Sequence, residues 1–231
     1  EKEPGLHVYG GLVCNHFTGG LSPSAVDAAI RLGAKIIWMP TFSSHQHQCH
    51  FAKKNTRFFN SEKPLVHPDE GLEIWDENRK LLPNVREILQ LISEAGIILA
   101  TGHLSAEEAE LLVDAAREHG IEKILIQHAD LGIAPVPMEM QRRLAAKGAV
   151  IEKCYLACGE DFNDLSVQAM AGSIRELGAA SCVLVTDYGQ SHNIPVVQAL
   201  SEFVEKLLQC GIREHEIETM LVQNPRSLLG I

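Results

Sequence analysis

Apolar residues along this chain fall into two alternating rhythms. Runs such as KIIWMPT from Lys35 and SCVLVTDYG from Ser181 have the length and composition of buried strands. HVYGGLVCN from His7, IILATG from Ile97, KILIQHA from Lys123 and AVIEKCYLA from Ala149 are of the same kind. Between them, apolar residues recur every three or four positions. LPNVREILQLISEAG, from Leu82, puts Val85, Ile88, Leu89 and Ile92 on one helical face and stops at Gly96. SPSAVDAAIRLG carries Pro23 in its first turn and ends at Gly33. SAEEAELLVDAAREHG opens on a capping box of Ser105 and Glu108 and aligns Leu111, Leu112 and Ala115. Further helices are expected over 137–147 and 164–177, with two more between 195 and 229.

Strands that are apolar throughout and alternate with helices imply a parallel sheet covered by helices. The expected fold class is α/β, a TIM-barrel-like (β/α)8 fold with six βα units in this chain, forming one domain over 1–231. An open doubly wound sheet is the alternative, though no GxGxxG follows the first strand to suit a dinucleotide. One connection breaks the rhythm. From 42 to about 80 no period is clear, and a loop of that length inside a domain is usually a lid or binding loop. It holds SSHQHQCH, the aromatics Phe42, Phe51, Phe58, Phe59 and Trp75, and the basic residues Lys53, Lys54 and Arg57. Extended backbone would turn His45 and His47 to one side, as a mobile wall of a site rather than its metal anchor.

Composition narrows the partners. With 45% hydrophobic and 22% charged residues the chain can bury an ordinary core. A formal charge of −10 argues against nucleic acid or an anionic membrane, which leaves a small-molecule substrate. No apolar run reaches membrane-span length and EKEPG is no signal peptide, so a cytoplasmic protein is expected. The six cysteines form no CxxC pair, and with Cys14 and Cys182 in strand-like runs they read as buried reduced thiols rather than a disulfide framework.

Three strand-like runs end in residues that bind metals: His103 after IILATG, His128 after KILIQ, and Asp187 after SCVLVT. In a parallel α/β fold the C-terminal strand ends share one rim, where ligands bind. Two imidazoles and a carboxylate on that rim suit a divalent metal, zinc first, with manganese or nickel as alternatives. Asn15 and His16 follow the first strand on the same rim. Glu152 falls inside an apolar strand, where an unpaired carboxylate is expensive, and would face the barrel interior with Lys153 outward. Tyr188, Gln190 and His192 could contact substrate; His119 and His215 read as capping or surface residues.

His at one strand end, His at the next and Asp at the last resemble the amidohydrolase superfamily of metal-dependent hydrolases. The closing stretch EIETMLVQNPRSLLGI is similar to the final helix of that family. The resemblance implies metal ligation by His103, His128 and Asp187, with Asp187 also handling the proton of the attacking water. The family opens on an HxH pair. Here the first strand carries only His7-Val8-Tyr9, and counting back from Asp187 makes it the third strand, so the first one or two βα units are expected to be absent. Sheet edges left open would be covered by association into a homo-oligomer. The implied activity is hydrolysis of a small-molecule amide, lactone or ester by metal-activated water. A metal-dependent decarboxylase or phosphoesterase on the same scaffold, and a non-catalytic ligand-binding barrel lacking HxH, are the alternatives.

Overall fold

The computed structural model describes residues 7–53 and 71–231. Its strands are β1 (Gly11–Val13), β2 (Ile36–Trp38), β3 (Ile98–Ala100), β4 (Ile124–Ile126), β5 (Val150–Cys154) and β6 (Cys182–Val185). The helices are α1 (Pro23–Arg31), α2 (His45–Lys53), α3 (Pro83–Ala95), α4 (Ala106–Glu118), α5 (Met138–Ala146), α6 (Val167–Leu177), α7 (Val196–Gln209), α8 (Glu214–Glu218) and α9 (Asn224–Leu229). All strands pair in parallel, in the order β1-β2-β3-β4-β5-β6. That order decides between the two architectures. A doubly wound sheet reverses direction at a switch point, whereas a (β/α)8 barrel adds each strand beside its predecessor.

Strand alternation divides the sheet into two faces. Ile37, Leu99, Ile124, Ile126 and Ile151 lie on one face, buried against Val85, Ile88, Leu89 and Leu112 of the covering helices. Each such side chain contributes roughly 1.5–3 kcal/mol on leaving water. Ile98, Ala100, Leu125 and Val183 make a smaller cluster on the other face, where Leu228 and Leu229 of α9 pack. Asn224, which opens α9, donates from Nδ2 to the carbonyls of Ala179 (2.8 Å) and Cys182 (2.6 Å).

Helix signals read from the sequence hold: Ser22 caps α1, and Ser105 with Glu108 makes the capping box of α4. His119 caps the end of α4, its Nδ1 lying 2.7 Å from the Ala115 carbonyl. The final segment departs from two plain helices, because a π-helical turn (Thr219–Gln223) joins α8 to α9.

The 42–80 insert needs a larger correction. Residues His45–Lys53 are helix, not extended loop. The Ser44 hydroxyl accepts from the His47 amide (3.0 Å), an N-cap bond that supplies a start the apolar pattern does not show. His45 and His47 therefore point apart: His45 is exposed and His47 buried. Lys54, Arg57, Phe58 and Phe59 lie outside the described residues. The chain returns at Gly71, with Leu72 exchanging backbone hydrogen bonds with Ser43 and His45.

Lys153 points away from Glu152, as alternation requires, but it meets protein rather than solvent. It is fully buried, donating to Asp130 Oδ2 (2.8 Å) and Gln141 Oε1 (2.9 Å).

Candidate metal centre

Backbone geometry aims the strand-end residues. After β3 the chain turns through Gly102 at φ +60°, where a β-carbon would collide with the Met39 carbonyl oxygen. This close approach lets the His103 amide donate to the Pro40 carbonyl (2.9 Å). His128, after β4, and Asp187, after β6, adopt φ +53° and +54°. Neither is glycine, and a left-handed conformation costs such residues about 1–3 kcal/mol that the surrounding fold must hold.

His128 is buried and faces two carboxylates. Its Nδ1 lies 2.8 Å from Glu152 Oε1 and its Nε2 3.5 Å from Asp187 Oδ2. Glu152 Oε1 also accepts the His128 amide (3.2 Å). Glu152 Oε1 is thus the partner of both the Nδ1 and the backbone amide of His128, which fixes the ring. Burial opposes a charge on His128, yet Glu152 and Asp187 outweigh it and raise its pKa above the ordinary imidazole value. Burial likewise lifts the Asp187 carboxyl, against the pull of His128 and with the push of Glu152.

His103 belongs to a second pair. Its Nδ1 is 2.8 Å from His47 Nδ1, with the rings nearly parallel and 5.1 Å apart at their centroids. Burial holds the His103 pKa well below normal and lowers that of His47 to about 4, so the contact joins two neutral rings, one donating and one accepting. The Ser44 hydroxyl donates to the His103 carbonyl (2.8 Å), and Gln46 reaches the Ile133 carbonyl (2.8 Å), which fastens α2 across the rim. His103 and His128 stand 5.2 Å apart, ring to ring.

Among the described residues, the potential ligand atoms found within 4.8 Å of one another belong to His128, Cys154 and Asp187. His103 stands beside this group without joining it. Cys154 takes a place that the sequence reading did not single out. Alternation along β5 puts Val150, Glu152 and Cys154 on one face, and that spacing is the signal that could have singled it out. A cavity of about 450 Å³ opens onto His128, Glu152 and Asp187, with Thr41, Gln127 and Trp38 among its walls.

The other sequence-picked residues lie around this centre. Asn15 is buried, and its Oδ1 accepts from the amides of Thr41 (2.9 Å) and Ser43 (3.0 Å), tying the exits of β1 and β2 together. His16 donates its amide to Ser43 Oγ (3.0 Å). His45 places Nε2 3.2 Å from Cys49 Sγ. Tyr188 stacks on Tyr155 at 5.2 Å and does not line the cavity, because its ring is drawn into the aromatic cluster with Phe203. His192 pairs with Asp161 (2.7 Å) on the exposed rim.

These residues fit a divalent cation. Two carboxylates face one buried imidazole, so negative charge exceeds positive even with the ring protonated. His128, Cys154 and Asp187 offer nitrogen, sulfur and oxygen donors within 4.8 Å of one another, a set suited to a divalent transition-metal ion.

Residues 1–152 match the family of unknown function DUF6282. The chain is a DUF6282 protein. No curated protein matches it in sequence. Among solved structures, the DUF6282 chain is similar to an amidohydrolase from Pseudomonas aeruginosa, with a TM-score of 0.61 at 16% identity over 90% of this chain and 67% of that one. It is also similar to the phosphotriesterase homology protein from Escherichia coli, with a TM-score of 0.53 at 13% identity over 95% and 98% of the two chains. A variant of the organophosphorus hydrolase from Deinococcus radiodurans gives 0.57 at 15% identity, over 90% of this chain and 61% of that one. With the consecutive parallel order, these likenesses give the DUF6282 chain a TIM-barrel-like α/β fold, six of whose strands are described.

Proposed function

We propose that this protein is a metal-dependent hydrolase acting on an amide, lactone or ester bond of a small molecule. The observation that carries the reading is the pair His128 and Asp187. Both occupy strand ends on one rim, in strained left-handed conformations, and face each other at the mouth of a cavity. Strain of this kind persists where a side chain must be aimed. In this reading His128, Asp187 and the neighbouring His103 hold the metal. A bound divalent ion supplies Lewis acidity and brings the pKa of water towards neutrality.

The chain's own groups supply the rest. Asp187, its pKa raised by burial, takes the proton from the attacking water and returns it to the leaving group. Glu152, beside His128 Nδ1, holds the ring with Nε2 turned towards Asp187. Val13, Leu125 and Val185 give the cavity apolar walls, and its volume suits a small acyl compound.

The test is metal analysis of protein purified without chelators, followed by assay on a panel of lactones, esters and amides. Bound metal is expected in stoichiometric amount, with metal affinity weakened in His103→Ala. Asp187→Asn should lower kcat by about 10²–10⁴. Protein that binds no metal, or that binds it equally well as His103→Ala, would sink the reading.

A further inference from the structure

We propose that Cys154 is a thiolate ligand of the same metal, giving it a sulfur donor beside His128 and Asp187. The inference rests on the metal-centre reading and adds to it a residue that the strand-end pattern does not contain.

Three adjacent strands carry the argument. Cys154 closes β5, between β4, which leads into His128, and β6, which leads into Asp187. In the β5–β6 register Cys154 lies opposite Val185, two residues before Asp187. The strand order thus brings Sγ beside the other two donors, and the three ligand atoms lie within 4.8 Å of one another. Cys154 shares its face of β5 with Glu152, whose carboxylate contacts His128.

The competing account is an inert core thiol. Cys154 is fully buried and its Sγ donates a long hydrogen bond to the Thr186 carbonyl (3.6 Å). The surroundings favour ligation. The carboxylates of Glu152 and Asp187 both act on the thiol and outnumber the one imidazole beside them, an excess of negative charge that a cation relieves and a packed thiol does not. With Nδ1 of His128 engaged by Glu152, its Nε2 is the ring nitrogen turned towards Asp187. Burial alone keeps the thiol protonated, with Glu152 and Asp187 acting in the same direction. A divalent cation reverses this: the S–H bond breaks, its proton leaves to solvent, and the sulfur's electron pair is given to the metal. A soft sulfur donor also selects zinc over manganese or magnesium.

The test loads metal-free full-length protein with cobalt(II) and, separately, with zinc. Expected results are one equivalent of cobalt bound, a near-ultraviolet thiolate-to-cobalt charge-transfer band, loss of that band in Cys154→Ser, and its retention in Cys158→Ser. X-ray absorption of the zinc form of the unaltered protein should show one sulfur at about 2.3 Å, which decides the matter even where Cys154→Ser fails to fold. Cobalt or zinc bound without a sulfur neighbour overturns the assignment of Cys154 and leaves the hydrolase reading standing. A band that survives in Cys154→Ser assigns the thiolate elsewhere and also overturns it. Failure of the unaltered protein to bind either ion overturns both.

Discussion

His128 and Asp187 hold the conformation that L-residues avoid, and they hold it facing each other. Asp187 lies near a second carboxylate, Glu152, and its side chain is 43% exposed. Replacing it with glycine removes the strain and the burial cost of the carboxylate, which together outweigh the lost attraction to His128. Asp187→Gly should therefore raise the unfolding free energy of metal-free protein by about 1 kcal/mol in urea titrations. An unchanged or lowered stability would show that the backbone there carries no strain. The same residues show what the sequence makes legible. His103, His128 and Asp187 are visible because each ends an apolar run, where a polar side chain has no packing reason to be. Cys154 is hidden because a cysteine inside such a run looks like one more apolar residue. His47 is visible as part of a wall of the site, but its burial against His103 is a contact between residues 56 apart in the chain, which no local pattern encodes.

Each element reaches the site through a specific local device. Gly102 brings β3 so close to the end of β2 that only a hydrogen can be accommodated. Gly102→Ala should lower stability by roughly 2 kcal/mol or more, through the collision with Met39 and the positive φ. It should also weaken metal binding by displacing His103; both are measurable by denaturation and by metal titration. Ser44 performs two tasks, capping α2 and bonding the His103 carbonyl, so that the helix and the strand exit move as one. The capped amphipathic helices were legible because caps and apolar stripes are local. α2 was not, since its residues HQHQCHFAK offer no apolar stripe and its docking depends on Ser44 and Gln46 reaching other segments. Strand order came from the expected fold class rather than from periodicity, since a (β/α)8 fold implies the consecutive order that the structure has. Periodicity says that six strands exist, while which strand lies beside which depends on hydrogen bonds between distant residues.

Across the whole molecule the buried histidines link stability to pH. His47 and His103 have folded pKa values below the ordinary value of 6.5, that of His47 near 4, because burial disfavours their charged forms. The unfolded chain takes up protons as pH falls through about 6.5, while these two rings in the folded protein refuse them. Stability is therefore lost on acidification between about pH 6.5 and 4, with a ceiling of roughly 3 kcal/mol from His47. His128 has the opposite sign: its raised pKa favours the folded state below 6.5 and returns part of the loss. Urea unfolding of metal-free protein at pH 7 and pH 5 should show the net fall, and its absence in the double variant His47→Phe, His103→Phe would assign it. No helix among the described residues is long and apolar enough to cross a membrane.

The consecutive strand order has a further consequence for the timing of assembly. Each strand needs only its predecessor as a template, so the sheet can extend in the direction in which the chain is synthesised. The proposed donors follow that sequence: His103, then His128, then Cys154, and Asp187 only after β6 has docked. In the proposed metal centre, tight ion capture would become available only at the end of folding, so that the ion would mark the finished molecule rather than nucleate it.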